Sequence, residues 1–393
     1  RGDGVRDTAY SAEAASLAVT EVMPFGSTRS FSWVPERAGN WLFHCHIPEH
    51  FGARGPLGVK RDDLANGGAA THADHATGGM NGMVLGIEVR PSRLTAASTR
   101  ASSRPAGNAV SSERVMRLLV RPNRGSSGSA PLYGYAFHET AAEPAADSGL
   151  GFGPTLDLVR GQPVRITIVN RLPEPTAVHW HGIELESYYD GVPGFSGTNR
   201  QLSPMIAPGD SFQVRFTPPR AGTFIYHTHA IEERQQLAGL AGAIVVNEAG
   251  VKRDEATDIP LLLSAPTDFA EQGRKALVNG SSTPRAQVMQ TGKTYRLRLV
   301  QMSTSRALLR VELFRDSSHF AWRLVAKDGA DLPPVARSMR PSRTALGIGE
   351  TYDFEVTPTS VGSMRLEVRV GQPWPAPSVL LTTLPITVVP GPR

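Results

Sequence analysis

Residues 26–46 and 209–229 align without a gap, and Gly26/Gly209, Pro35/Pro218, Arg37/Arg220, Ala38/Ala221 and Gly39/Gly222 coincide. Each stretch ends in a histidine pair, His44 and His46 in one and His227 and His229 in the other. A third copy runs from Gly349 through Tyr352, Pro358 and Gly362, with Glu367 and Arg369 where the histidines should stand. A chain that repeats itself at wide spacing is built from copies of one structural unit. In each copy the pattern predicts a strand, a Pro/Gly turn and a second strand that carries the pair near its end.

A second repeated strand, residues 160–170, resembles residues 291–301 and precedes the first repeat in both later copies. Nothing like it precedes Gly26, so the first unit is expected to lack its N-terminal half. The stretch from Arg93 to Arg114 is rich in Ser, Ala and Arg without periodicity and reads as a linker. The predicted organisation is therefore 1–92, the C-terminal part of one unit; 93–112, a linker; 113–250, a complete unit with histidine pairs; and 251–393, a unit without them.

With 393 residues the chain is too long for one β-sandwich and comfortable for two or three. Its 39 Gly and 31 Pro, with short apolar runs, suit many brief strands and tight turns, so the expected class is all-β. The formal charge of +5 is too mixed, and no basic run is interleaved with aromatics, so nucleic acid is not an expected partner. The longest apolar stretch, Leu237 to Val246, is far shorter than the roughly 20 residues of a membrane-spanning helix. No Gly-x-Ser-x-Gly elbow or dinucleotide-binding glycine turn is present, which removes those enzyme classes.

Three His-x-His triplets occur: His44-Cys45-His46, His179-Trp180-His181 and His227-Thr228-His229. Random placement of 11 histidines would give roughly 0.3 such triplets, so three is a marked excess. On a strand, residues i and i+2 share a face about 6.5 Å apart. Each triplet thus offers a two-imidazole clamp, and neutral imidazole suits copper and zinc. Cys45, the single cysteine, points away from its flanking histidines, so one tripeptide would serve a thiolate site on one face and an imidazole site on the other. His50 follows closely enough to curl back toward the thiolate. A thiolate with imidazoles and a weak axial thioether describes a blue-copper electron-transfer site.

These residues carry a resemblance. The segment 41–50, with His44, Cys45, His46 and His50, is similar to the C-terminal copper motif of multicopper oxidases of the laccase-like kind. His179-Trp-His-Gly182 and Tyr226-His-Thr-His229 look like that family's two N-terminal copper motifs. The resemblance implies tandem cupredoxin-like, plastocyanin-type Greek-key β-sandwiches. It implies that His179, His181, His227, His229, His44 and His46 supply six of the eight imidazoles of a trinuclear copper cluster. Cys45 and His50 would hold a mononuclear blue copper, up to four coppers in the complete protein. Asp190 stands where the family carries an acidic residue able to relay protons to reduced oxygen. The axial candidate is Met83, in a stretch resembling the family's closing strand, with Met80 in reserve; His72 and His75 are expected in a mobile loop, and His138 and His319 receive no role.

The resemblance further implies one-electron oxidation of a small reductant, a phenol, an amine or a metal ion, coupled to reduction of O2 to water, and a periplasmic or secreted location. A cupredoxin copper-binding or electron-transfer protein and a copper nitrite reductase-like enzyme are the alternatives. Two departures stand out. The family's His-Pro-x-His-x-His motif is absent, and the Cys motif precedes the other two motifs instead of following them. A circular permutation would keep the cluster within one chain; assembly between subunits as a homo-oligomer is the other arrangement.

Overall fold

The computed structural model describes residues 16–23, 26–47, 83–91, 112–123, 132–140, 142–145, 152–230, 232–265, 276–303, 308–371 and 375–392. Its element list is dominated by strands, and the α-helix among the described residues is Glu232–Leu237. No helix among the described residues is long and apolar enough to cross a membrane.

The repeat is visible in the backbone. Gly26, Gly209 and Gly349 open their copies at φ 73°, 81° and 83°, and Gly39, Gly222 and Gly362 open the second strands at φ 137°, 153° and 132°. A side chain disfavours that half of the Ramachandran map, which is why glycine recurs at both places.

In the second copy, Ser211–Phe216 pairs antiparallel with Val164–Asn170, which runs parallel to Arg114–Pro122. The histidine-bearing strand Gly222–Thr228 pairs antiparallel with Ala241–Asn247, and that strand runs parallel to Leu156–Val159. In the third copy Thr351–Val356, Tyr295–Gln301 and Asp258–Ser264 repeat the first wiring. Gly362–Gly371, Ser378–Val389 and Gln287–Gln290 repeat the second. The two four-stranded sheets of the second copy enclose one apolar core that includes Trp180, Phe216, Phe224 and Tyr226. A separate core in the third copy includes Trp322 stacked on Phe354 at 3.8 Å. These are β-sandwiches, each closed by alternating inward residues of two sheets.

In the first copy the described residues show one hairpin of this arrangement. Gly39–His44 pairs antiparallel with Val84–Val89, and the Gly39↔Val89 register matches Gly222↔Val246. The closing strand therefore falls where the sequence puts it. The expected first strand does not form: residues 27–34 carry no ladder. A strand needs a partner for its N–H and C=O groups, and no described segment pairs with residues 27–34. Consequently Phe31 is 70% exposed, whereas its equivalent Val214 is fully buried. Phe31 and Phe43 pack on each other at 5.6 Å on this face.

Candidate metal centre

In the two triplets of the second copy the middle residue is buried in the interior and the histidines face the other side. Trp180 is fully buried, 5.4 Å from Phe216 and stacked on Tyr226 at 6.2 Å. Thr228 is buried too, and its hydroxyl donates to Gln235 Oε1 at 2.8 Å, with Ala230 O 3.0 Å away. In the short ladder of Val178–His179 on Gly222–Thr228, His179 and His227 stand directly opposite each other. The strand ends at His179, so His181 sits in the following turn, one step beyond the predicted strand. The rings of a pair lie 4.9 Å apart for His44/His46, 5.6 Å for His179/His181 and 6.2 Å for His227/His229.

The pairs interleave. Ring centroids of His179 and His227 are 5.3 Å apart, those of His46 and His181 5.1 Å, and those of His44 and His229 5.7 Å. One ligand atom each from His179, His181 and His227 lies within 4.8 Å of the others, a spacing that one metal ion or a close pair could span. His44 and His46 reach this group from the same chain, across more than 130 residues of sequence separation.

Hydrogen bonds set the tautomers. His179 Nδ1 contacts Asp190 O at 2.6 Å, His227 Nδ1 contacts Thr228 O at 2.7 Å, His44 Nδ1 contacts Cys45 O at 3.0 Å and His46 Nδ1 contacts Ile348 O at 2.8 Å. A carbonyl only accepts, so each Nδ1 carries the proton and each Nε2 keeps its lone pair. His181 differs, because its Nε2 faces the Thr20 hydroxyl at 3.1 Å. Burial holds His46 below the ordinary histidine range and holds His181 and His227 well below it, with the neighbouring imidazoles adding to the effect at His181. Neutral imidazoles packed this closely are metal donors.

Asp190 lies beside the group. Its Oδ1 is 3.4 Å from His179 Nδ1, and its Oδ2 accepts from Ser196 Oγ at 3.2 Å. The next residue, Gly191, is at φ 84°, and a Cβ there would sit 1.9 Å from Val178 O. Only glycine lets this turn lie against the strand that carries His179.

Three elements hold the first copy in place. Gly39 abuts Ser187, whose hydroxyl donates to Asn40 O at 2.6 Å and accepts from Gly197 N at 2.8 Å. Asn40 Nδ2 donates to Phe195 O at 2.9 Å. Upstream, the N–H groups of Val19 and Thr20 both donate to Asp328 Oδ2 at 3.1 Å, and Lys327 Nζ reaches Thr20 O at 3.0 Å and Glu21 at 2.6 Å.

Cys45 continues the ladder: its N–H donates to Met83 O at 2.9 Å. Residues opposed in this way share a face, so the register sets Met83 beside Cys45, with Met83 62% exposed. Cys45 Sγ accepts from Ile47 N at 3.5 Å. His50, Met80, His72 and His75 lie outside the described residues. In the third copy the two vacated histidine positions form an ion pair, Arg369 Nη1 to Glu367 Oε2 at 2.6 Å. Thr20, Ser196, Ile348 and Gly349 enter the site without any sequence signal of their own beyond Gly349's place at the head of the third repeat.

A family model described as "Multicopper oxidase" matches residues 145–250. Multicopper oxidase mco of Staphylococcus aureus is 30% identical over 200 residues, covering 46% of this chain and 41% of the relative. Copper resistance protein A of Escherichia coli is 37% identical over 95 residues, covering 24% of this chain and 14% of the relative. The chain thus spans less than half the length of these relatives. Among solved structures, a multi-copper oxidase from Pseudomonas thermotolerans superposes with a TM-score of 0.53 at 26% identity, over 72% of this chain and 66% of that one. A multicopper oxidase from Campylobacter jejuni shares the fold, with a TM-score of 0.51 at 20% identity over 71% and 59% of the two chains.

Proposed function

We propose that this chain is a multicopper oxidase-like protein that holds a copper cluster between its first and second repeat units and couples oxidation of a small reductant to reduction of O2. The observation that carries the reading is the convergence of three histidine pairs, from three separate segments of one chain, onto a single group of imidazoles. The donor set fits: imidazole nitrogens grouped this closely suit copper, and a structural zinc site would leave the central Cys45 unexplained.

Copper bound here would supply one-electron redox steps, which side chains alone cannot perform. The work of the chain's own residues follows from their placement. His179, His227, His44 and His46 offer Nε2, and His181 joins them with its Nε2 beside the Thr20 hydroxyl. Cys45, with His50, would form a mononuclear site beside Met83, and the covalent path from Cys45 to its two flanking histidines joins that site to the cluster. Asp190 holds a carboxylate at His179 Nδ1, where it can take up or pass on the protons that conversion of O2 to water requires. Burial of His181, His227 and His229 keeps bulk water away from the imidazoles.

In this reading residues 1–92 are the C-terminal part of a cupredoxin domain, 113–250 a complete one and 251–393 one without copper ligands. The order is permuted, and the contacts of His44 and His46 with His229 and His181 within one chain favour permutation over assembly between subunits. Phenols, amines and metal ions are the reductant classes, and the location is periplasmic or secreted.

The test is a Cu(II) titration of the chain, following the intense visible thiolate-to-copper absorption, counting bound copper and recording O2 uptake with one reductant of each class. The reading expects a visible band that Cys45→Ser abolishes, and further copper that His227→Ala removes without loss of the band. Copper at the Cys45 site alone would instead mark an electron-transfer protein.

A further inference from the structure

The third repeat unit has given up its histidines, yet its opening turn lies against the cluster. His46 Nδ1 donates to Ile348 O at 2.8 Å, a contact across 302 residues of sequence. At Gly349, φ is 83° and an added Cβ would stand 2.5 Å from His46 Nδ1, 2.6 Å from its Cε1 and 3.2 Å from His181 Cε1. The same position in the other copies is open: Gly26 and Gly209 have the same left-handed backbone and nothing within 4 Å of a built Cβ. The turn conformation is thus common to all three repeats, whereas the filled space in front of it is particular to the third. Two further bonds fix the turn, Gly349 N to Gln301 O at 2.8 Å and Gly347 N to Glu350 Oε2 at 2.7 Å.

We infer that the turn Ile348–Gly349 forms a wall of the metal centre, with Ile348 O and Gly349 as positioning groups that lock His46 in the Nδ1–H tautomer and leave its ring room. The inference rests on the copper reading for the use of Nε2 but makes its own claim about the imidazole. A carbonyl facing Nδ1 fixes which nitrogen is free, and a residue without a side chain lets that carbonyl and the ring come together. A β-carbon at Gly349 would push against both His46 and His181, two ligands contributed by different repeat units.

The comparison of Gly349→Ala with Gly209→Ala separates this role from backbone strain, because both place alanine at nearly the same positive φ. Two readouts apply: 15N–1H correlation spectra of the histidine rings in the metal-free protein, with His46 identified by its loss in His46→Gln, and copper binding by titration. Wild type is expected to show His46 protonated at Nδ1. Gly349→Ala is expected to shift the His46 signals and weaken copper binding about tenfold or more, while Gly209→Ala loses similar thermal stability and keeps both. A wild-type His46 protonated at Nε2 overturns the inference, whether or not Gly349→Ala folds. So does a Gly349→Ala protein with unshifted His46 signals and the copper affinity of Gly209→Ala. If wild type binds no copper, the proposed function falls, and the tautomer and its response to Gly349→Ala still decide the inference.

Discussion

At the level of single side chains, the centre depends on which nitrogen each imidazole leaves free, and main-chain carbonyls make most of those choices. Asp190 combines two roles that one substitution separates. Its carbonyl orients His179 and its carboxylate faces the same nitrogen. Asp190→Asn keeps the carbonyl, so copper content should stay at the wild-type value while O2 uptake falls about 10²-fold, the scale of a lost proton-transfer group. A parallel loss of copper would show the carboxylate to be needed for ligation. Trp180, the inward member of its triplet, is fully buried. Trp180→Ala should lower unfolding free energy by about 3–5 kcal/mol, read by urea denaturation. Glu350 offers a pH test: burial raises it from 4.5 to about 7, against the pull of Lys327 at 3.2 Å. Between those values the folded protein holds a proton that the unfolded chain has released, so this group makes stability fall as pH rises from about 4.5 to about 7. Glu350→Gln should flatten that part of the stability profile, and an unchanged slope would count against the assignment.

Among the elements, the repeated strand and turn were readable from spacing alone, because glycine at two fixed places and a period-2 histidine pair are local requirements. The first strand expected at residues 27–34 was misread, because the spacing that marks it says nothing of whether a pairing partner lies beside it. What spacing could not give is where each pair points after folding. The short strand stops at His179 and leaves His181 to a turn, and His46 finds its carbonyl in a different repeat unit. Thr20 and Ile348 had no signal because their contributions are a hydroxyl and a main-chain oxygen positioned only by tertiary contact. The element contact that delivers the first copy to the second is Gly39 against Ser187, where a Cβ would meet Ser187 Cβ at 2.5 Å and Gly197 O at 2.8 Å. Gly39→Ala should therefore move His44 and His46 away from the other pairs. The chain should lose copper at the cluster while the core around Trp180 keeps its near-ultraviolet circular dichroism. Full copper retention would mean that the strand is held by other contacts.

At the scale of the molecule, one repeat appears in three forms: a first copy that carries the cysteine triplet, a second that ends in His227 and His229, and a third whose corresponding positions hold the Glu367–Arg369 ion pair. Loss of ligands in the third unit did not remove it from the centre, since Ile348 and Asp328 contact the cluster and the segment beside it. The claim on which everything else depends is that the three histidine pairs of one chain form one metal group. Copper counted on the chain while light scattering fixes its mass tests this most directly. Wild type should bind copper as a monomer, with a stoichiometry independent of protein concentration and lowered by His181→Ala. Copper bound only by dimers, or a wild-type count no higher than that of a variant with His179, His181 and His227 all changed to alanine, would contradict it.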